Sequence, residues 1–190
     1  MVNVDKSSIY NPDQIVDLNV LPWPWKDNEF DHIVAKNILE YLDVDFCELL
    51  KEMYRVSYNG AIWEIEFPHW RSDSAISDPI LKKVLHPGMF MLFDMNKNLE
   101  TAGVKSALGF EHNVDIQLID QAIMHTIPYQ ERIKEKNISE EEMIFSINHL
   151  NNVVESVKLL IQVHKPGRCD EDELTDLLKK VVIKNEVSVL

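Results

Sequence analysis

At 190 residues and 45% hydrophobic content, the chain is long enough to bury one sizeable core and reads as a single domain with a short appendage. Its formal net charge of −13 repels phosphate backbones and anionic lipid, and the basic pairs Lys82-Lys83 and Lys179-Lys180 are too small to offset that field. Nucleic acid and membrane are therefore excluded as main partners, and a chain with neither a signal pattern nor an apolar run near the roughly 18 residues that span a bilayer is expected in the cytoplasm.

Val2-Asn3-Val4-Asp5 alternates apolar and polar residues before a polar cluster from Lys6 to Asn11 and Pro12, so a short strand is expected to end at Asp5. Ile15-Val16-Asp17-Leu18 is a second short apolar run. Two prolines in Leu21-Pro-Trp-Pro-Trp25 keep that segment out of a central ladder, which predicts a loop with buried aromatics. Phe30 to Ala35 reads as a strand leading into helical spacing over Asn37–Leu42. Phe46, Leu49, Leu50, Met53, Tyr54 and Val56 share one helical face, with Asn59-Gly60 as the expected stop. Ala61 to Phe67 alternates as a strand up to Pro68.

Strands alternating with helices imply an α/β fold, a doubly wound and mostly parallel sheet whose ligands bind beyond the carboxyl ends of the strands. Asp5, Asp17, Lys36 and His69 fall at those ends. Periodicity weakens from Trp70 to Gly109, an insertion of the kind that builds a lid or an interface. Val114 to Ile119 reads as a strand, Ser139-Glu-Glu-Glu142 as a capping box opening a helix to about Leu150, and Val153 to His164 as a long strand. The apolar face of Leu174, Leu177, Leu178, Val181 and Val182 predicts a C-terminal amphipathic helix. The expected division is thus residues 1–168, with an insertion at about 70–109, and a helix and tail over 169–190.

From Val2 to about Lys165 the chain resembles the S-adenosylmethionine-dependent methyltransferases of the type 11 group, especially small bacterial and phage members. The resemblance rests on the order and spacing of Val2-Asn-Val-Asp5, Ile15-Val-Asp-Leu-Asn19, Leu21-Pro-Trp-Pro-Trp-Lys-Asp-Asn-Glu-Phe-Asp31, Ile38-Leu-Glu-Tyr-Leu42, Glu52-Met-Tyr-Arg-Val56 and Glu66-Phe-Pro-His69. It implies a Rossmann-like methyltransferase sheet with a C-terminal antiparallel hairpin, and S-adenosylmethionine as cofactor. Asp5 matches the acidic residue that accepts both ribose hydroxyls, Asp17 the one that contacts the adenine amino group, and Leu18 the residue that packs on the adenine face. Lys36 and Asn37 fall beside the methyl-transfer position. A carboxylate after a strand also serves to cap its own turn, so both readings of Asp5 and Asp17 stand.

Two departures from the family pattern bear on activity. The chain opens on what matches the second strand, so the first, central strand and its glycine-rich loop are expected to be missing. The glycines Gly60, Gly88, Gly103, Gly109 and Gly167 form no Gly-x-Gly pattern, which counts against cofactor binding. In the insertion, Asp78-Pro-Ile-Leu-Lys82 stands where relatives carry polar groups. His69, then His86, are the best candidates for a general base in methyl transfer.

No metal is expected, because the seven histidines are scattered singly, and Cys47 and Cys169 read as reduced thiols. Two functional classes follow. One is a degenerate methyltransferase-fold protein, non-catalytic alone, acting as a binding, regulatory or assembly subunit in a homo-oligomer or with a protein partner. The other is an active methyltransferase on a small polar acceptor such as a sugar, its missing loop supplied by a longer form or by another chain.

Overall fold

The computed structural model describes residues 2–100 and 106–165; the expected division at 168/169 and the C-terminal helix lie outside them. Among the described residues, six strands form two sheets. β1 (Val4–Asp5) and β2 (Gln14–Ile15) pair in parallel as a separate two-stranded sheet. β3 (Phe30–Lys36), β4 (Ser57–Pro68), β5 (Ile116–His125) and β6 (Val154–Val163) form the main sheet in the order β3-β4-β6-β5. β3 runs parallel to β4, whereas β6 is antiparallel to both β4 and β5. The chain is an α/β protein that combines parallel pairing in its N-terminal half with a C-terminal antiparallel hairpin. No ladder joins the β1–β2 sheet to β3 among the described residues.

Alternation in β4 decides which face of the main sheet is dry. Ala61, Trp63, Ile65 and Phe67 are buried on one face, and Val157, Leu159, Ile161 and Val163 of β6 continue that surface. The other face is polar: Glu64 takes Lys158 Nζ at 2.6 Å and His32 Nε2 at 3.3 Å. Helix α1 (Phe46–Val56) contributes Leu49, Leu50, Met53 and Val56 to the core at helical spacing, and the Asp45 carboxylate caps it by accepting from the amides of Cys47 and Glu48. The expected stop at Asn59-Gly60 gives way to a direct junction. Ser57 ends α1, its N–H donating to the carbonyls of Met53 and Tyr54, and also begins β4. The helical spacing over 37–42 yields only a 3-10 turn, Leu39–Tyr41, because Asn37 sits at φ 49° with its N–H tied to Glu66 O at 2.8 Å.

The insertion folds into short helices α2 (Ser74–Ser77), α3 (Pro87–Met91), α4 (Met95–Glu100) and α5 (Leu108–His112). Its aromatic residues enter the core: Phe90 stacks on Phe67 at 6.2 Å and meets Phe46 edge-on at 5.3 Å. Between β5 and β6 lie α6 (Ile127–Lys134) and α7 (Glu140–His149). The Ser139 side chain accepts from Glu142 N at 3.1 Å, which is one half of the capping box, while the Glu142 carboxylate turns to Arg132 instead. No helix among the described residues is long and apolar enough to cross a membrane.

Candidate functional site

All the residues singled out from the sequence but one lie at or just past the carboxyl end of a strand: Asp5 on β1, Asp17 and Leu18 after β2, Lys36 and Asn37 at the end of β3, and His69 after β4, whereas His86 caps the start of α3. Local turn chemistry engages one oxygen of each carboxylate. Asp5 Oδ1 accepts from Ser7 N at 2.7 Å, and Asp17 Oδ1 accepts from Asn19 N and Asn19 Nδ2, each at 3.0 Å. The backbone amide of Asn19, then its side chain, holds the Asp17 carboxyl below the usual carboxylate range. Leu18 packs against the core while its carbonyl accepts from Trp23 Nε1 at 3.1 Å, and Lys36 is exposed opposite Glu66 in the β3–β4 register.

The loop between β2 and β3 is fixed by Arg55 of α1. Its guanidinium donates to the carbonyls of Trp23 and Trp25 and to Asp27, and grips Glu52, whose carboxylate also accepts from Trp23 N at 2.6 Å. Trp23, Trp25 and Phe30 meet in successive edge-to-face contacts at 5.7 and 5.3 Å, so the proline-flanked tryptophans pack as structure.

The two candidate bases are brought together. The His69 ring stacks on Trp70 at 3.9 Å, and Trp70 lies 4.0 Å from the His86 ring. His69 Nδ1 accepts from Arg71 N at 3.2 Å and His86 Nδ1 accepts from Gly88 N at 3.0 Å. In the neutral ring this fixes the proton on Nε2, so each imidazole offers an N–H outward and has spent its lone pair on backbone. Burial lowers the pKa of both, with the charges of Arg71 and His86 adding to the effect at His69. In this geometry Nε2–H is the atom that each neutral ring has left to offer a ligand.

A residue that the sequence reading missed is Glu40. It is 2% exposed, and neither carboxylate oxygen has a hydrogen-bond partner. Burial drives its carboxyl up to about 7.

The described residues fit S-adenosylmethionine only in part. Asp5 and Asp17 bring acceptors suited to hydroxyl and amino donors. The described glycines are committed elsewhere: Gly60 opens β4 at φ 85°, Gly88 lies in α3, and a Cβ at Gly109 would come within 3.0 Å of the carbonyls of Phe93 and Val114. None lies beside β1, so no backbone cradle for the methionine end is present among them. No group of His, Cys, Asp and Glu among the described residues is arranged to hold a metal ion.

No protein-family model matches the chain, and no curated protein sequence matches it. Solved structures with a similar fold include the [4+2]-cyclase SpnF, 13% identical over 80% of this chain and 56% of that one, with a TM-score of 0.45. A SAM-dependent methyltransferase from Archaeoglobus fulgidus is 18% identical over 73% of this chain and 61% of its own, with a TM-score of 0.42. A SAM-dependent methyltransferase from Thermotoga maritima, described as a possible histamine N-methyltransferase, is 15% identical over 79% and 62%, with a TM-score of 0.43. The chain spans between 56% and 62% of the length of these proteins.

Proposed function

We propose that this chain is a degenerate methyltransferase-fold protein, non-catalytic by itself, that acts in the cytoplasm as a binding, regulatory or assembly subunit of a homo-oligomer or of a complex with another protein. The observation that carries this reading is the break between the β1–β2 sheet and β3. Asn3 and Asp5 turn their carbonyls to β2, so Val4 turns its N–H and C=O to the opposite side, where β1 has no ladder partner among the described residues. Among the described residues β3 is likewise paired on one side only. Open edges of this kind accept a further strand, and a protein that presents them is suited to completion by another polypeptide.

The same reading accounts for the engaged Nδ1 lone pairs of His69 and His86. A second reading, an active methyltransferase on a small polar acceptor such as a sugar, draws support from the two Nε2–H donors flanking Trp70, which could orient hydroxyl oxygens. Calorimetric titration of the purified chain with S-adenosylhomocysteine separates the two. Asp5→Asn is the matched control, since an amide oxygen still caps the turn at Ser7 but removes the charge. Absence of heat at millimolar ligand is expected. Micromolar binding that Asp5→Asn abolishes would overturn the first reading in favour of the second.

A further inference from the structure

We propose that Asn59 is a modification site: in the folded chain its side-chain amide is lost spontaneously, through a cyclic imide formed with Gly60. Asn59-Gly60 is the one Asn-Gly pair of the sequence. Both residues are exposed, near the start of β4. Neither has a register partner among the described residues, because pairing with β3 steps from Phe30 with Ser57 to His32 with Ile62, and pairing with β6 begins only at Ile62. The peptide that joins them thus lies outside the ladders that fix the rest of β4, and its nitrogen is free to turn toward the Asn59 side chain.

Gly60 has no side chain to shield that nitrogen, sits at φ 85°, and would meet nothing within 4 Å if it carried a Cβ, so no packed neighbour locks it in place. The other reactant is held still: Asn59 Oδ1 accepts from Lys165 N at 2.6 Å. A backbone N–H can only donate, so the amide presents its oxygen there, and the same donor takes up the negative charge that grows on Oδ1 as the carbon is attacked. Gly60 N bonds to Asn59 Cγ, its proton passes through solvent to the side-chain nitrogen, and the bond from Cγ to that nitrogen breaks to release ammonia. Water then opens the imide at either carbonyl. Cleavage between Gly60 N and Cγ leaves an aspartate at this position, whereas cleavage between Gly60 N and the Asn59 main-chain carbonyl leaves an isoaspartate. Both products add a negative charge. The isoaspartate also lengthens the main chain by one atom and withdraws the acceptor from Lys165, which loosens the tie between the start of β4 and the segment after β6. This inference depends neither on S-adenosylmethionine binding nor on a partner.

The test is peptide mapping by mass spectrometry of the full folded chain held at pH 8 for increasing times, beside a sample kept unfolded in urea. Trypsin cuts after Arg55 and Arg71, and the peptide Val56–Arg71 between them holds no asparagine besides Asn59. In the folded chain this peptide is expected to gain the mass of an amide-to-acid change before any other asparagine does, and to split into two isomers of equal mass. Gly60→Ala, which sets a methyl group beside the attacking nitrogen, is expected to slow the change by at least about tenfold, a barrier higher by about 1.4 kcal/mol. Asn59→Gln, whose longer side chain would have to close a larger ring, is expected to leave the peptide unchanged. Conversion confined to the urea sample, earlier conversion of other asparagines in the folded chain, or a Gly60→Ala rate equal to the wild type would overturn the proposal.

Discussion

Arg55 and Glu52 meet fork to fork, Nε to Oε2 at 2.9 Å and Nη2 to Oε1 at 2.6 Å, one turn apart on α1. The pair joins the helix to the loop between β2 and β3, because the same two side chains also bind the backbone of Trp23 and Trp25. Arg55→Lys keeps a charge but cannot reproduce the planar fork, and it leaves a buried Glu52 and two carbonyls short of donors. A loss of about 2–3 kcal/mol is expected in urea unfolding followed by tryptophan fluorescence. An Arg55→Lys midpoint equal to the wild type would show that the loop holds without the fork.

Glu40 makes stability depend on pH in an unusual direction. Its folded pKa of about 7 lies above the ordinary carboxylate value of 4.5, so the folded chain binds more protons than the unfolded one between those limits. Stability contributed by the neutral acid is complete at low pH, declines as pH rises through that window, and is gone above about 7. The total is on the order of 3 kcal/mol. Glu40→Gln is expected to be more stable than the wild type at pH 8 and to lose that advantage at pH 4, measured as urea midpoints at the two pH values. A constant difference between the two proteins across this range would contradict the burial of an ionisable Glu40.

Ser57 relays a hydrogen-bond chain inside the core. Trp63 Nε1 donates to Ser57 Oγ at 2.8 Å, and Ser57 Oγ donates to Met53 O at 2.6 Å, all in fully buried surroundings. Ser57→Ala strands the indole N–H without a partner and is expected to cost about 1–3 kcal/mol. The double variant Ser57→Ala/Trp63→Phe removes that donor, so a calorimetric cycle should show the two losses to be less than additive.

The tautomers at the Trp70 stack are directly observable. Nitrogen-detected NMR is expected to find both His69 and His86 as Nε2–H rings at pH 7, each titrating below 6.5 because burial disfavours the imidazolium. His86→Ala removes one of the charges acting on His69 and should raise the His69 pKa slightly. An Nδ1–H signal from either ring would refute the assignment and restore that residue as a candidate base.

Local patterns in the sequence were enough to place the strand-end residues. Asp5, Asp17 and His69 each follow a short apolar run and a turn, so a few neighbouring residues set their positions. Glu40 was invisible for the opposite reason. In Leu39-Glu-Tyr41 an acid reads as the wet side of a turn, and its burial comes from a segment some forty positions away that its carbonyl holds through Lys82 and Lys83. The α1–β4 junction was misplaced because Asn59-Gly60 has turn chemistry, yet pairing of Phe30 with Ser57 extends β4 through it, and Asn59 Oδ1 accepts from Lys165 N. Helix α6 buries none of its residues and so carried no apolar stripe to read.

The position of β6 also bears on the order in which the molecule can be built. β4 and β5 meet only through β6, which is the last described strand to leave the ribosome. Until residues 154–163 emerge, the Ile62–Pro68 edge has no partner on that side and Ile116–His125 has no ladder partner among the described residues. A nascent chain stalled before Val154 therefore presents two unpaired strand edges, the kind of surface that holding chaperones protect. Among the described strands, β3 and β4 can pair as they emerge, whereas β5 joins the sheet only once β6 is available.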